Sequence, residues 1–174
     1  IAPILTGLVN RTVVSWDGST PINDSALTGT TTDLTRAAGE TVAGSTYAIT
    51  AGTFTAPNTN YSAPTFTGTP TLAITARALT ATVANQTKVY GDDDPALGGI
   101  APILTGLVNR TVVSWDGSTP INDSALTSTT TDLTRVAGET VAGSTYNITA
   151  GTFTAPSGNY SAPTFTGTPT LAIT

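Results

Sequence analysis

The chain has 174 residues, a formal net charge of −5 and only 10% charged residues, with Lys and Arg together numbering six; that excludes a nucleic-acid surface, which needs clustered Lys and Arg to neutralise phosphates. Cys, His and Met are absent, which removes disulfides, thiol nucleophiles, imidazole bases and the soft metal ligands. Threonine supplies 40 residues, a β-branched composition suited to pleated, half-exposed surfaces, and no apolar run approaches the roughly 20 residues of a membrane helix.

In chain order, "ILTGLVNRT" reads either as the end of a strand or as a single helical turn before Arg11. "TVVSWDGST" reads as a short strand with Val14 and Trp16 together, closed by an Asp-Gly turn. "STYAITAGTF" places Tyr47, Ile49 and Ala51 inward, with a bulge at Gly52 returning Phe54 to the core side. "PNTN" supplies turn chemistry before "NYSAP". "TFTGTPTLAIT" alternates with period two: Phe66, Gly68, Pro70, Leu72 and Ile74 share a face, Thr65, Thr67, Thr69, Thr71 and Ala73 the other. Pro70 implies an edge position there. "ALTATVANQTKVYG" is another alternating strand, with Leu79, Ala81 and Val83 on one face, and "GDDDP" ends it. No segment carries a helical stripe over three turns. The predicted fold is all-β, with at most one short helix per domain.

At Ile100 the sequence starts again. Residues 1–75 match 100–174 at a period of 99, with five differences: Gly29/Ser128, Ala37/Val136, Ala48/Asn147, Asn58/Ser157 and Thr59/Gly158. The period far exceeds the roughly 20 to 50 residues of solenoid repeats and suits a whole small domain. The segment 76–99 is written only once, and "TAR" joins its strand to Ile74 with too little chain for a flexible linker. These features predict tandem small β domains arranged end to end as a rod, jointed at 75–78. On this reading 76–174 is a complete repeat, and 1–75 is a copy lacking its first strand of about 24 residues. The chain starts inside a repeat and so reads as a fragment; an alternative has the missing strand donated by a neighbouring molecule.

"LTATVANQTKVYGDDDPAL", followed by "TGLVN", "TRVAGETVAGSTYNIT", "GTFTA", "NYS" and a closing "TLAIT", resembles the MBG repeat domain of the YG type. The most specific pieces are Lys88–Gly91, Asp94–Pro95 and the Ala-Gly-Glu that precedes Tyr146. Where that family usually follows "GLVN" with a Gly-Asp turn, this chain has Arg11 and Arg110. The resemblance implies a non-catalytic stalk segment of a large bacterial surface or secreted adhesin, some of which are haemagglutinin-like or biofilm-matrix proteins. It implies an extracellular setting and no catalytic residues.

Candidate sites are few. Asp92, Asp93 and Asp94 form an acidic cluster of the kind hard cations such as calcium favour; the plainer reading is a solvated turn, since the alternating acidic pattern of known calcium loops is missing. Trp16 and Trp115 could each stack on a sugar ring or lie in a core. Glu40 and Glu139 with Asp33 and Asp132 offer carboxylate pairs of the glycoside-hydrolase type, but a 99-residue bead leaves little room for a cleft. Lys88, the only lysine, is a candidate for an intramolecular isopeptide bond or, more simply, a satisfied or solvated lysine. "NRT", "NDS" and "NYS" match the N-glycosylation pattern, which a chain rich in Thr and Ser produces by chance. The rank Thr65, Thr67, Thr69 and Thr71 would suit an ice-binding face only if neighbouring strands supplied similar ranks. No cofactor is expected beyond candidate calcium. The expected partners are neighbouring repeats of the same chain and, in a fibre, other copies. Sparsely charged edge strands favour such self-assembly.

Overall fold

The computed structural model describes residues 1–174, and the chain is all-β, with no α-helix and two single 3-10 turns at Leu97–Gly99 and Val141–Gly143. Two compact units are present. Unit 1 comprises Ile1–Gly39, Thr46–Ala73 and Val113–Gly117; unit 2 comprises Glu40–Ser45, Ile74–Val112 and Ser118–Thr174.

In unit 1, β1 (Asn10–Ser15) and β2 (Gly18–Asn23) form an antiparallel hairpin with Ser15 opposite Gly18. Trp16 and Asp17 are therefore the two-residue loop. The turn falls one residue earlier than expected, which takes Trp16 out of the strand. Gly18, at φ 145°, provides the backbone that the turn needs. β3 (Thr31–Arg36), β4 (Tyr47–Phe54) and β5 (Thr71–Leu72) form the second sheet, in that order.

The inward set of β4 changes parity between Ile49 and Phe54, as its sequence requires, but not through a bulge at Gly52. The extra residue is Thr50, since Ala51 pairs with Thr35 and Ile49 with Arg36, and Ala51 is exposed rather than inward. Gly52 pairs with Leu34, and a Cβ there would come within 2.9 Å of Leu34 and 3.0 Å of Phe66. Glycine is required at this position for space, not for a bulge.

Unit 2 contains the strand that residues 1–75 do not. β6 (Thr80–Val83) and β7 (Gln86–Lys88) come from the single alternating segment, broken at Ala84–Asn85. The break lets one segment serve two sheets. β6 lies between β13 (Thr164–Phe165), to which it is parallel, and β8 (Pro102–Thr105), to which it is antiparallel. β7 pairs in parallel with β14 (Thr170–Ile173), at the edge of a sheet ordered β11 (Thr130–Arg135), β12 (Tyr146–Phe153), β14, β7. β9 (Asn109–Ser114) and β10 (Gly117–Asn122) repeat the hairpin.

The expected continuous strand over "TFTGTPTLAIT" is thus two short strands in the second copy and β5 alone in the first. Gly68 and Gly167 both sit at φ 88°, and the following proline has no N–H for a ladder. The threonine rank is broken at the same place. The ambiguous "ILTGLVNRT" is also resolved by context: 102–105 is strand β8 against β6, whereas the same letters at 3–6 form no strand.

The core of unit 2 joins Ala81 and Val83 of β6 to Ile100, Ile148 and Phe153, with Leu104, Leu133 and Phe165 packed around them. Leu79, Ala81 and Val83 are all buried, as their alternation predicts. In unit 1, which has no equivalent of β6, Ile1 is 83% exposed whereas its twin Ile100 is 7% exposed. Thr130 Oγ1 donates to Ile100 O at 2.6 Å, while the Oγ1 of Thr31, its twin, is buried without a partner. Identical letters, with and without one strand beside them, give a closed core and an open one.

Candidate functional site

The charged residues of unit 2 converge at the end of β7. Ile173 pairs with Lys88, and the chain then turns through Val89–Tyr90–Gly91, with the Tyr90 N–H donating to Thr174 O at 2.9 Å and the Asp92 N–H to Val89 O at 3.1 Å. Gly91 has φ 91°, a conformation that favours glycine. This turn sends Asp94 back over Lys88.

Lys88 Nζ lies 2.8 Å from Asp94 Oδ1 and 2.6 Å from Glu139 Oε2, and the lysine side chain is only 6% exposed. Arg135, from the end of β11, grips Asp94 with two bonds, Nε to Oδ2 at 2.8 Å and Nη2 to Oδ1 at 3.1 Å, and also bonds Glu139. Its Nη1 donates to the carbonyls of Val136 and Gly138 at 3.1 and 2.9 Å, and its guanidinium stands 5.6 Å from the centre of the Tyr146 ring. Two cations and two anions therefore close a ring, seated on an aromatic face.

The Ala-Gly-Glu motif has a physical basis in this ring. Gly138 has φ 147°, and a Cβ on it would stand 2.1 Å from Cε1 of Tyr146. The Tyr146 hydroxyl donates to Thr140 O at 3.0 Å and accepts from the Thr140 N–H at 3.0 Å, which pins the loop that carries Glu139. The first copy repeats part of this: Arg36 stands 5.3 Å from the Tyr47 ring centre and donates to Ala37 O and Gly39 O.

The pairing sets the charges. Hydrogen bonds from Arg135, then from Lys88, hold the Asp94 carboxyl down at about 2, outweighing partial burial. Hydrogen bonds from Lys88 and Arg135 likewise lower Glu139, and those to Asp94 and Glu139 raise Lys88. A glycoside hydrolase needs one carboxylic acid held protonated by a raised pKa; Glu139 is shifted the other way. An isopeptide bond needs a neutral lysine, and Lys88 is held as the ammonium.

All three aspartates line one open hollow with Lys88, Arg135 and Glu139, but only Asp94 is bonded to Lys88 and Arg135. No group of three acidic side chains converges in the way that would hold a metal ion. Trp16 and Trp115 are not brought to this site. Trp16, at its hairpin tip, is 110% exposed, and Trp115 is 40% exposed. The ion-pair ring itself was not legible as such: Arg135 lies 41 residues from Asp94 and Lys88 six residues before it.

A model of the MBG domain (YGX type) family matches residues 79–170, just over half of the chain. The chain belongs to this family. The matched span starts at Leu79, so it includes β6 and β7, the strands that close the core. MBG domains are structural repeat domains of large surface and secreted proteins. Comparison with curated proteins and with solved structures gave no match.

Proposed function

We propose that this chain is a stalk segment of a repetitive bacterial surface or biofilm-matrix adhesin, outside the cell, where MBG repeats set the distance between the cell and a binding tip. Catalysis has no part in it. The observation that carries this reading is the near-identity of the two 75-residue copies, joined through a segment that leaves Ile74 and enters strand β6 at Thr80. A spacer gains length from repetition, and nothing in that role asks the copies to differ. The ring of Lys88, Asp94, Arg135 and Glu139 fits it too, because these charges are satisfied by one another rather than offered to a substrate.

A second reading, direct glycan binding by the repeats, is favoured by the full exposure of Trp16 beside Asp17, since sugars stack on open indole faces. It is the weaker reading, because Trp115 is much more covered and the platform would not recur from copy to copy. In-frame removal or addition of whole 99-residue copies in the parent protein separates the two. The stalk reading expects reach to change while the intrinsic affinity for the target stays constant. Affinity that scales with copy number would overturn it in favour of the repeats as binders.

A further inference from the structure

The segment Glu40–Ser45 belongs to unit 2, although the rest of the first copy up to Ala73 belongs to unit 1. There the Val42 N–H donates to Asn159 Oδ1 at 3.0 Å, and Val42 lines a hollow with Ile74, Arg77, Ile121, Asn159 and Tyr160. Apart from Arg77, whose backbone N–H donates to Asn159 O at 2.9 Å and which occurs once, the residues of this contact are written twice. "ETVAGS" at 40–45 recurs unchanged at 139–144, and the Asn-Tyr of Asn159–Tyr160 stands also at Asn60–Tyr61.

The second loop repeats side-chain hydrogen bonds of the first, although only the second forms a 3-10 turn, Val141–Gly143. Ser45 Oγ accepts from the Ile74 N–H at 2.8 Å, and Ser144 Oγ accepts from the Ile173 N–H at 2.8 Å. The Gly44 N–H donates to Thr41 Oγ1, and the Gly143 N–H to Thr140 Oγ1. What differs is cover. Val42 is half-buried and Val141 is 52% exposed; Asn159 is half-buried and Asn60 is exposed.

We propose that the Glu139–Ser144 loop of one chain docks on the Asn60–Tyr61 surface of a second copy of this chain, with the Val141 N–H donating to Asn60 Oδ1 as Val42 does to Asn159. The chain carries the two halves of this joint on different copies of its repeat, so docking is head to tail and open-ended. The patch is small, so free molecules associate weakly. Held at the millimolar effective concentration of a covalent array, the same contact forms readily. This deepens the stalk reading, because it supplies the contact that keeps successive repeats in fixed register.

The chain has no cysteine, so paired substitutions test the contact directly. Asn60→Cys with Val141→Cys, cross-linked by a short thiol reagent, is expected to give a ladder of linear multimers. Val42→Cys with Asn159→Cys is expected to close within single chains, because it reports the joint already present. Asn60→Cys with Val89→Cys, which also joins two exposed positions, measures random collision. A ladder no faster than that collision pair overturns the proposal, and so does failure of the 42/159 pair to close within monomers. The stalk reading has a separate readout, the reach of multi-copy arrays, and survives either failure.

Discussion

The matched phenylalanines Phe54 and Phe153 offer one perturbation in two contexts. Each stacks on a second ring at nearly the same separation, Phe54 on Phe66 at 6.5 Å and Phe153 on Phe165 at 6.4 Å. Phe153 also packs in the cluster with Ala81, Val83 and Ile100 and is 5% exposed, whereas Phe54 is only half-buried. Truncation of a fully buried phenylalanine costs about 3 to 5 kcal/mol through lost transfer free energy and the cavity left behind. Phe54 has no β6 to cover one side of its ring. Removing a half-buried ring forfeits about half as much, so the expected cost there is about 1.5 to 2.5 kcal/mol. Phe153→Ala is therefore expected to destabilise unit 2 about twice as much as Phe54→Ala destabilises unit 1. A chain with two units has no single unfolding free energy, so the measurement is hydrogen exchange read segment by segment. "YAITAGTF" and "YNITAGTF" differ in mass through Ala48 and Asn147, which keeps the two strands distinguishable. Costs that agree within about 0.5 kcal/mol, the scatter expected for independent sites, would refute the idea that β6 closes the core.

The ion-pair site sets three further outcomes. Asp94 has a folded value of about 2, below the roughly 3.9 of a free aspartate, so its contribution is complete above about pH 4 and fades as pH falls through 2. Acid melting curves of unit 2 should show that loss, and Asp94→Asn should flatten it; an unchanged acid limb would count against the ring. Gly138→Ala forces a Cβ towards the Tyr146 ring at a strained φ and should cost unit 2 about 2 to 4 kcal/mol, seen as early urea unfolding of its exchange-protected strands. Calcium, added or chelated, should leave the melting temperature unchanged, since Asp94 is already committed to Lys88 and Arg135; a saturable rise with calcium would return the three aspartates to the status of ligands.

The all-β class and the buried face of Leu79, Ala81 and Val83 were legible because period-two alternation reports which side of a strand meets a core. Strand breaks were not. "ALTATVANQTKVYG" and "TFTGTPTLAIT" alternate straight through points where the chain changes sheets, and alternation carries no information about which sheet a residue joins. Gly52 misled for a related reason: glycine marks both bulges and close approaches, and only the position of the Leu34 and Phe66 side chains separates the two. Whether 102–105 is a strand depends on β6, as the fate of the same letters at 3–6 demonstrates. The carboxylates and cations of the site were visible one by one. Their convergence depends on β7 lying against β14 and on the turn at Gly91, both of which are tertiary facts.

On the proposed stalk role, these repeats set length. The most direct measurement is small-angle scattering on arrays of increasing copy number, each copy being one 99-residue period. A compact unit of that size spans about 30 to 40 Å. The account predicts that the maximum dimension rises by a constant step of at least about that size with every added copy. Growth that slows towards the cube root of copy number, as in a collapsed cluster of domains, would contradict it.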